Sequence, residues 1–382
     1  MYAVVANGIG AATGALSDDW GAHGSFYFVL TVPNVQDLAA KKLKEVPYRY
    51  VQCEEESEHV AFDMSDQVPV VDLQNLQHHD LTISSNEMAK FDVVCKDWGF
   101  FLLINHGVDE ELIRKMASNA EEFFDLPSEE KKAYAQLPQS FQGYGQAFVV
   151  SEEQKLEWSD MLSLHTLPLY QRNMLFWPKK PPSFSETLDK YAFEMQKLTF
   201  CLLSLIAKNL GVEPKKLTSI FDDGVQGTRM NYYPPCPQPE KVIGLSPHSD
   251  ASIITLLIQN NDLPGLQIKI NGNWIPINPI SGAFIVNIGD AIEIMSNGLY
   301  KSIEHRAVIH PDRARISIVG FQDPRQGVFI EPLQELLERT NVAAKYKTVN
   351  FDEYLRGYFS AKLDGKAMLD LIKFEQGKNQ EC

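Results

Sequence analysis

Cysteine and basic residues are both scarce in this chain of 382 residues. The five cysteines are an odd number without CxxC spacing, which excludes a disulfide framework and indicates reduced thiols. The 35 Lys and Arg residues are outnumbered by 50 Asp and Glu residues, so the formal net charge is −15. This acidic balance argues against nucleic acid or an anionic membrane as the main partner.

Long apolar runs and basic targeting segments are also missing. No apolar run reaches the roughly 18 to 20 residues that a membrane span needs. The first basic residues are Lys41 and Arg49, so the start of the chain lacks the positive charge of a secretory signal or a transit peptide. We therefore expect a cytoplasmic protein, acting as a monomer. Residues 1–31, rich in Gly and Ala, are expected to form an atypical, disordered leader.

Apolar spacing divides the rest of the chain into segments. It predicts an amphipathic helix at residues 35–46 and a long one at 185–210, which Gly211 should end. Ser128 is expected to cap another helix, and residues 84–166 are interpreted as mixed but mostly helical. We predict a mixed α/β N-terminal lobe, a long connecting helix, a β-rich core and C-terminal helices, at residues 32–180, 181–221, 222–325 and 326–382.

The β-rich core consists of short β-type runs separated by turn signals. Seven such runs lie between residues 228 and 321, with breaks such as Asn271-Gly272 and Asn297-Gly298 between them. Many short strands at this spacing are typical of a sandwich or barrel. We predict a mainly β protein with flanking helices, whose core is a double-stranded β-helix, the cupin-like jelly roll.

His248, Asp250 and His305 form the most informative pattern in the sequence. Residues at positions i and i+2 of a strand end face the same side and can bind one metal ion. A lone HxD is weak, but His305 follows after several strands, as a jelly roll requires to return a third ligand. Two imidazoles and one carboxylate are a ligand set of non-haem Fe(II), and hydrolytic zinc sites use similar sets.

Arg315 and Ser317 favour iron over zinc. They lie two residues apart on the next β-type run, so their side chains point the same way. A guanidinium beside a hydroxyl suits one end of a dicarboxylate cosubstrate. Arg229, Asn231 and Tyr233 also share one face of a strand, and Tyr233 could donate its hydroxyl to a carboxylate. The same segment is equally typical of an edge strand that ends in a proline turn.

Six motifs resemble the plant 2-oxoglutarate- and Fe(II)-dependent dioxygenases. They are Asn231-Tyr-Tyr-Pro-Pro-Cys-Pro-Gln-Pro239, His248-Ser-Asp250, Leu263-Pro-Gly-Leu-Gln267, Asn297-Gly-Leu-Tyr-Lys-Ser302, His305-Arg306 and Arg315-Ile-Ser317. Residues 68–73 and 95–108 resemble the other lobe of that family. Residues 141–155 are similar to the subgroup of senescence-related-like proteins, opiate-alkaloid O-demethylases and norcoclaurine-synthase-like proteins.

The resemblance implies a set of roles and cofactors. His248, Asp250 and His305 would hold Fe(II), with 2-oxoglutarate and O₂ as cosubstrates and ascorbate in support. The distal carboxylate of 2-oxoglutarate would be bound by four residues, namely Arg315, Ser317, Tyr233 and Asn231. The candidates to line the substrate pocket, which are equally typical of core packing, are Met161, Ser163, Phe321 and Arg229.

The activity expected from the resemblance is oxidation of a small, mainly apolar plant specialised metabolite. Hydroxylation, O-demethylation or a related reaction would release succinate and CO₂. One alternative is a non-redox, C–C bond-forming enzyme of the norcoclaurine-synthase-like kind on the same scaffold. Another is an ascorbate-using oxidase of the ethylene-forming kind, which shares the HxD, His and Arg-x-Ser residues.

Overall fold

The computed structural model describes residue 30 and residues 32–52, 67–137 and 140–375. Apart from residue 30, the leader predicted at residues 1–31 lies outside this part. The described residues form strands that we number in chain order, as follows: β1 (Val70–Asp72), β2 (Phe100–Ile104), β3 (Gly143–Gly145), β4 (Asp160–Leu167), β5 (Gln226–Tyr233), β6 (Leu245–His248), β7 (Ile254–Gln259), β8 (Leu266–Ile270), β9 (Asn273–Pro276), β10 (Phe284–Ile288), β11 (His305–Ala307), β12 (Arg315–Gln322), β13 (Phe329–Ile330) and β14 (Val349–Asn350).

Helices precede, separate and follow these strands along the chain. Their bounds are α1 (Val35–Ala40), α2 (Leu73–Leu76), α3 (Leu81–Asp97), α4 (Glu110–Asp125), α5 (Ser128–Lys132), α6 (Phe184–Leu210), α7 (Lys215–Thr218), α8 (Asp290–Met295), α9 (Gln334–Thr340), α10 (Phe351–Phe359) and α11 (Ala367–Leu371). Within the described ranges, none of the helices combines the length and apolar character needed to cross a membrane.

Two sheets carry the core. The larger has the strand order β1-β2-β10-β7-β12-β5-β4-β3, and the smaller has the order β6-β11-β8-β9. Strands β5 to β12 alternate between the two sheets, except that the consecutive strands β8 and β9 form a hairpin in the smaller one, and the pairings among these strands are antiparallel. This is the strand order of a double-stranded β-helix, so the predicted jelly roll is confirmed.

Strands from the N-terminal segment extend the larger sheet at both edges. β2 pairs with β10 on one side, and β4 pairs with β5 on the other. β4 was not predicted, although Leu162-Ser163-Leu164-His165 alternates apolar and polar residues, because the segment was interpreted as part of a mostly helical region. The larger sheet contains strands from both the predicted N-terminal lobe and the predicted β-rich core. The domain boundaries at residues 31, 180, 221 and 325 therefore stay a prediction.

The long helix α6 covers the outer face of the larger sheet. It contacts β4, β5 and β12, and its predicted range of 185–210 is confirmed to within one residue. Gly211 ends the helix in the left-handed conformation, with φ of 65°. The helix predicted at 35–46 is shorter than expected. It ends at Ala40, because Lys42 has φ of 48°, which a right-handed helix cannot include.

Ser128 corrects another prediction. It is the first residue of α5 and does not cap the helix. Its hydroxyl donates instead to Asp37 Oδ2 at 2.8 Å, which joins α5 to α1. The N-terminus of α1 is held by Asp160 of β4, which accepts from the backbone N–H groups of Val35 and Gln36 at 2.9 and 2.7 Å. Helix α1 is therefore fixed to the edge of the larger sheet.

Candidate metal centre

Three predicted metal ligands meet between the two sheets. His248 is the last residue of β6, and His305 is the first residue of the neighbouring strand β11. The two strands are antiparallel, and their register places these histidines directly opposite each other. Asp250 follows His248 by two residues. All three side chains are buried.

The ligand atoms of this triad are close enough to bind one ion. Asp250 Oδ1 lies 3.6 Å from His248 Nε2 and 3.7 Å from His305 Nε2. The two imidazole ring centres are 4.2 Å apart, and one ligand atom from each residue lies within 4.8 Å of the others. Among the described residues this is the one group of His, Cys, Asp or Glu side chains with such spacing.

Backbone carbonyl groups fix the orientation of both imidazoles. His248 Nδ1 lies 2.8 Å from the carbonyl oxygen of Ser246, and His305 Nδ1 lies 3.0 Å from that of Ile303. A carbonyl only accepts, so each Nδ1 must carry the proton. Each Nε2 therefore keeps its lone pair for the metal. The Phe100 ring meets His305 edge to face at 5.1 Å and restricts its rotation.

Asp250 divides its two oxygens between protein and metal. Oδ2 accepts hydrogen bonds from Thr255 Oγ1 at 2.7 Å and from Asn287 Nδ2 at 2.8 Å, which leaves Oδ1 facing the histidines. Sequence reasoning missed both partners. The available signal was a buried Asn within the apolar strand β10, since such a residue needs a partner.

The ionisation states of His248 and Asp250 suit a divalent cation. Burial, with the neighbouring His305, lowers the pKa of His248 to about 3, so its imidazole is neutral at physiological pH. Burial alone would raise the pKa of Asp250. The two histidines and the hydrogen bonds from Asn287 and Thr255 outweigh it and hold this pKa below its ordinary value. A neutral pair of imidazoles with one carboxylate is the form that binds metal.

Arg315 provides the observation that favours iron with a cosubstrate. Its side chain is 3% exposed, and its Nη1 has no hydrogen-bond partner. Nε donates to Gln259 Oε1 at 3.2 Å, and the guanidinium carbon lies 5.1 Å from the centre of the Tyr233 ring. A buried guanidinium with an unused donor is costly unless an anion completes it. The residues therefore fit a carboxylate cosubstrate beside the metal.

Gly265 makes room for this arginine. A Cβ added at Gly265 would lie 2.8 Å from Arg315 Cδ, which is closer than real Cβ contacts. Ser317 and Asn231 lie opposite each other on β12 and β5, and Asn231 Nδ2 donates to Ser317 Oγ at 3.1 Å. The Leu-Pro-Gly-Leu-Gln motif thus has a role beyond the turn that the sequence suggested.

One cavity joins these groups. It contains the triad, Arg315, Ser317, Asn231 and Tyr233, as well as Arg229, Arg306 and Phe321, and its apolar lining consists of Phe100, Leu245, Leu257, Leu266, Ala307 and Val319. Met161 and Ser163 do not line it. They pair with Asn231 and Arg229 from the adjacent strand β4. Directly paired residues face the same side of a sheet, so these two extend the inner face beyond the cavity.

Comparison with known families agrees with this geometry. Residues 224–324 match the 2OG-Fe(II) oxygenase superfamily. Residues 68–182 match the non-haem dioxygenase in morphine synthesis N-terminal family. The solved structure of JOX2 in complex with 2OG, Fe and JA superposes with a TM-score of 0.83 at 34% identity, covering 91% of this chain and 99% of that one.

Similarity to characterised plant proteins covers nearly the whole chain. S-norcoclaurine synthase 1 of Coptis japonica is 52% identical over 90% of this chain and 97% of its own length. Codeine O-demethylase of Papaver somniferum is 43% identical over 90% of this chain and 96% of its own length. These relatives confirm the resemblance that the motifs indicated. The chain belongs to the 2OG-Fe(II) oxygenase superfamily and is a dioxygenase that uses Fe(II), 2-oxoglutarate and O₂.

Proposed function

We propose that this dioxygenase oxidises a small, mainly apolar plant specialised metabolite by hydroxylation, O-demethylation or a related reaction. The observation that carries the proposal is the buried, incompletely bonded Arg315 next to the triad, in a cavity with a largely apolar wall. Relatives named for O-demethylation of codeine and of flavonoids support the substrate class. Apolar side chains beside a set of convergent polar groups are typical of sites for small organic molecules.

In this proposal each polar residue has one role. His248 Nε2, His305 Nε2 and Asp250 Oδ1 hold Fe(II). Arg315 and Ser317 bind the distal carboxylate of 2-oxoglutarate, and Tyr233 and Asn231 assist them. With iron and 2-oxoglutarate held there, O₂ would supply the oxidising power for attack on a C–H bond, and 2-oxoglutarate would be oxidised to succinate and CO₂.

The protein contributes orientation and exclusion of water. Thr255 and Asn287 fix the carboxylate of Asp250, and the carbonyl groups of Ser246 and Ile303 fix the imidazoles. The apolar wall keeps the substrate carbon dry and near the metal. Met161 and Ser163 would contact the outer part of the substrate, while Phe321 and Arg229 would contact the part within the cavity. Ascorbate would support turnover by keeping the iron reduced.

The test is anaerobic reconstitution with Fe(II) and 2-oxoglutarate, followed by visible absorption spectroscopy. We expect a weak metal-to-ligand charge-transfer band in the wild type. In Arg315→Ala the 2-oxoglutarate concentration that gives half of the band should rise at least about tenfold, because a charge-assisted pair is lost. Arg313→Ala, an exposed arginine paired with Asp262, is the matched control and should keep the wild-type band.

A wild-type protein that binds iron but gives no band with 2-oxoglutarate would contradict the proposed roles. Dependence on ascorbate then separates the two remaining alternatives, because neither of them releases succinate. The 52% identity to a protein named S-norcoclaurine synthase 1 favours a non-redox, C–C bond-forming enzyme as the second candidate. Product formation that needs neither 2-oxoglutarate nor ascorbate would support that candidate, whereas dependence on ascorbate alone would support an oxidase of the ethylene-forming kind.

We also propose that the protein acts as a cytoplasmic monomer without nucleic-acid or membrane partners. Its formal net charge of −15 and its unpaired Cys95, Cys201 and Cys236 support this. Light scattering coupled to size-exclusion chromatography tests the monomer, and a fluorescent fusion in plant cells tests the compartment. A dimer mass, or a signal in an organelle, would refute the corresponding part.

A further inference from the structure

Glu293 is a buried carboxylate on the short helix α8, outside the group of residues that line the cavity. Its side chain is 4% exposed, and both of its oxygens are bonded to other parts of the chain. Oε2 accepts from the backbone N–H of Ser302 at 2.6 Å and lies 2.8 Å from Lys366 Nζ. Oε1 accepts from the Tyr346 hydroxyl at 2.8 Å. A buried carboxylate is costly unless it is paired and hydrogen-bonded in this way, so three separate segments meet at one residue.

One of these partners leads to the metal ligand His305. Ser302 lies three residues before this histidine, and its side chain is fully buried. The carbonyl of the next residue, Ile303, lies 3.0 Å from His305 Nδ1 and orients the imidazole. Glu293 therefore holds the peptide group beside the one that sets the direction of His305 Nε2. A displacement of Ser302 would turn this ligand away from its present position.

A second partner leads to the metal ligand His248. Lys366 follows Gly365, whose backbone N–H donates to the Pro247 carbonyl at 2.9 Å. The Gly365 carbonyl accepts from Ser249 N at 3.2 Å. The residues on both sides of the histidine are thus bonded to the neighbour of the lysine. The ion pair of this lysine with the α8 carboxylate holds the segment in place.

Helix α8 is also bound to the segment that carries the third ligand. Asp290 N, in the first turn of the helix, donates to the Asp250 carbonyl at 2.7 Å. A Cβ added at Gly289 would lie 1.9 Å from the Ser252 carbonyl oxygen, so the helix and the ligand segment are in direct contact. Glu293 lies one turn further along α8, and its backbone is therefore fixed relative to Asp250.

We propose that Glu293 is a positioning residue that sets the separation of the two histidine ligands, and through it the affinity of the site for metal. His248 and His305 belong to different strands, and their ring centres are 4.2 Å apart. One carboxylate holds the segment behind each of them. This inference rests on the proposed roles of the histidines and adds to them a residue that does not touch the metal.

A carboxylate that only stabilised the fold would behave differently. Its loss would lower the free energy of unfolding, but the molecules that remained folded would keep their ligands in place and would bind metal as tightly as the wild type. A positioning residue changes the metal affinity and the ligand geometry of the folded protein itself. These two quantities therefore separate the two roles.

The experiment titrates the full chain with Co(II), whose visible ligand-field bands report both occupancy and ligand geometry. Glu293→Gln keeps the size of the side chain but leaves one acceptor oxygen for three donors. We expect the dissociation constant for Co(II) to rise about tenfold, the low end of the effect of residues that orient metal ligands. The bands should also change in position or intensity, because the histidines are no longer held at the same separation.

Asp160→Asn is the matched control. Asp160 also accepts two hydrogen bonds from backbone N–H groups, but these groups belong to α1. Urea denaturation reports the stability of each variant, and the Co(II) affinity of Asp160→Asn should stay within about twofold of the wild-type value. Lys366→Met removes only the link towards His248, so its dissociation constant should rise about threefold. Adding Lys366→Met to Glu293→Gln should cause no further loss, because both changes break the same link.

Two results would overturn the inference. One is wild-type Co(II) affinity with unchanged bands in folded Glu293→Gln. The other is an equal loss of affinity in Asp160→Asn, which would make the effect a general result of lower stability. If Glu293→Gln does not fold, Lys366→Met decides, and wild-type affinity in that variant refutes the role. The proposed function fails separately, when the iron-loaded wild type gives no charge-transfer band with 2-oxoglutarate, whatever the Co(II) affinities.

Discussion

At the scale of single residues, the metal ligands divide their polar atoms between the metal and the protein. Asp250 presents Oδ1 to the histidines and gives Oδ2 to Thr255 and Asn287. Each histidine presents Nε2 and gives Nδ1 to a backbone carbonyl. Partners of this kind fix the ligand geometry before the metal binds. The side chains therefore lose little conformational entropy when the metal binds.

Removing the amide that holds Asp250 should weaken iron binding. Asn287→Ala leaves Oδ2 with one partner, so the carboxylate can rotate away from the histidines. We expect the dissociation constant for Fe(II) to rise about 10- to 100-fold. Anaerobic equilibrium titration measures it. Thr255→Ser, which keeps a hydroxyl for the same oxygen, is the control, and wild-type affinity in Asn287→Ala would contradict the role.

Adding a methyl group beside Arg315 should disturb the cosubstrate alone. The Cβ of Gly265→Ala would meet Arg315 Cδ at 2.8 Å, so the guanidinium must shift. We expect KM for 2-oxoglutarate to rise up to about tenfold while iron affinity stays unchanged. In Gly227→Ala the added Cβ meets nothing within 4 Å, so this variant should retain the wild-type KM. Equal KM values for both variants would refute the steric argument.

The sequence could propose the principal residues of the candidate site, which the structure brings together in one cavity, because their spacing is short and specific. HxD and Arg-x-Ser each use the two-residue period of a strand. The partners of these residues were not predictable. Gln259 meets Arg315 across 56 positions, and Asn287 meets Asp250 across 37, so only the register of the folded sheets brings each pair together.

At the scale of elements, a C-terminal segment forms hydrogen bonds with the backbone next to the metal ligand His248. We call residues 358–366 the C-terminal strap. Gly365 N donates to the Pro247 carbonyl at 2.9 Å, and Ser249 N donates to the Gly365 carbonyl at 3.2 Å. The Tyr358 hydroxyl donates to the Ser249 carbonyl at 2.9 Å. The backbone on both sides of His248 is thereby bonded to a segment more than 100 positions away.

A buried ion pair fixes the end of the C-terminal strap. Lys366 Nζ lies 2.8 Å from Glu293 Oε2, and the Glu293 side chain is 4% exposed. We expect Lys366→Met to lower the free energy of unfolding by about 2 kcal/mol, because Glu293 loses its charge partner yet keeps hydrogen bonds from Tyr346 and Ser302. Urea denaturation measures the change.

An exposed ion pair on the same part of the chain provides the control. Lys373 pairs with Asp370 three residues earlier, and both side chains are at least 40% exposed. Lys373→Met should change the free energy of unfolding by less than about 0.5 kcal/mol. An equal decrease in the free energy of unfolding in Lys366→Met and Lys373→Met would contradict the role of the Lys366–Glu293 pair in fixing the strap.

Element prediction succeeded where one periodicity dominated. β8 was predicted at its observed bounds, and α6 to within one residue, because the apolar spacing of each is regular. The interpretation of residues 84–166 as mostly helical missed β4, which is buried on both faces. β6 was missed as well. It has four residues, one of them a proline, which is too short and irregular for a periodic signal.

At the scale of the whole molecule, one half-buried histidine outside the site makes stability depend on pH. Burial lowers the pKa of His165 from 6.5 to about 4. The unfolded chain takes up a proton at this residue below about pH 6.5, whereas the folded chain does not until about pH 4. The free energy of unfolding should therefore fall as pH falls through this window.

Replacing His165 should remove this contribution. Between pH 6.5 and 4 the free energy of unfolding should fall less steeply in His165→Gln than in the wild type. The two slopes should differ by at most about 1.4 kcal/mol per pH unit. Urea denaturation at several pH values measures the slope. His79→Gln alters an exposed histidine and should leave the slope unchanged. If His165→Gln also left the slope unchanged, the lowered pKa of His165 would not be the cause of the pH dependence.

The C-terminal strap has a consequence for how the enzyme is made. The ribosome delivers His248, Asp250 and His305 well before Gly365, so the nascent chain has all three ligands while the backbone around His248 still lacks its last hydrogen-bonded neighbour. Iron loading should therefore be a late event in synthesis. A ribosome-bound chain arrested after Asn350 should hold Fe(II) more weakly than the released protein, and equal retention of the metal would show that the ligand loop matures without the strap.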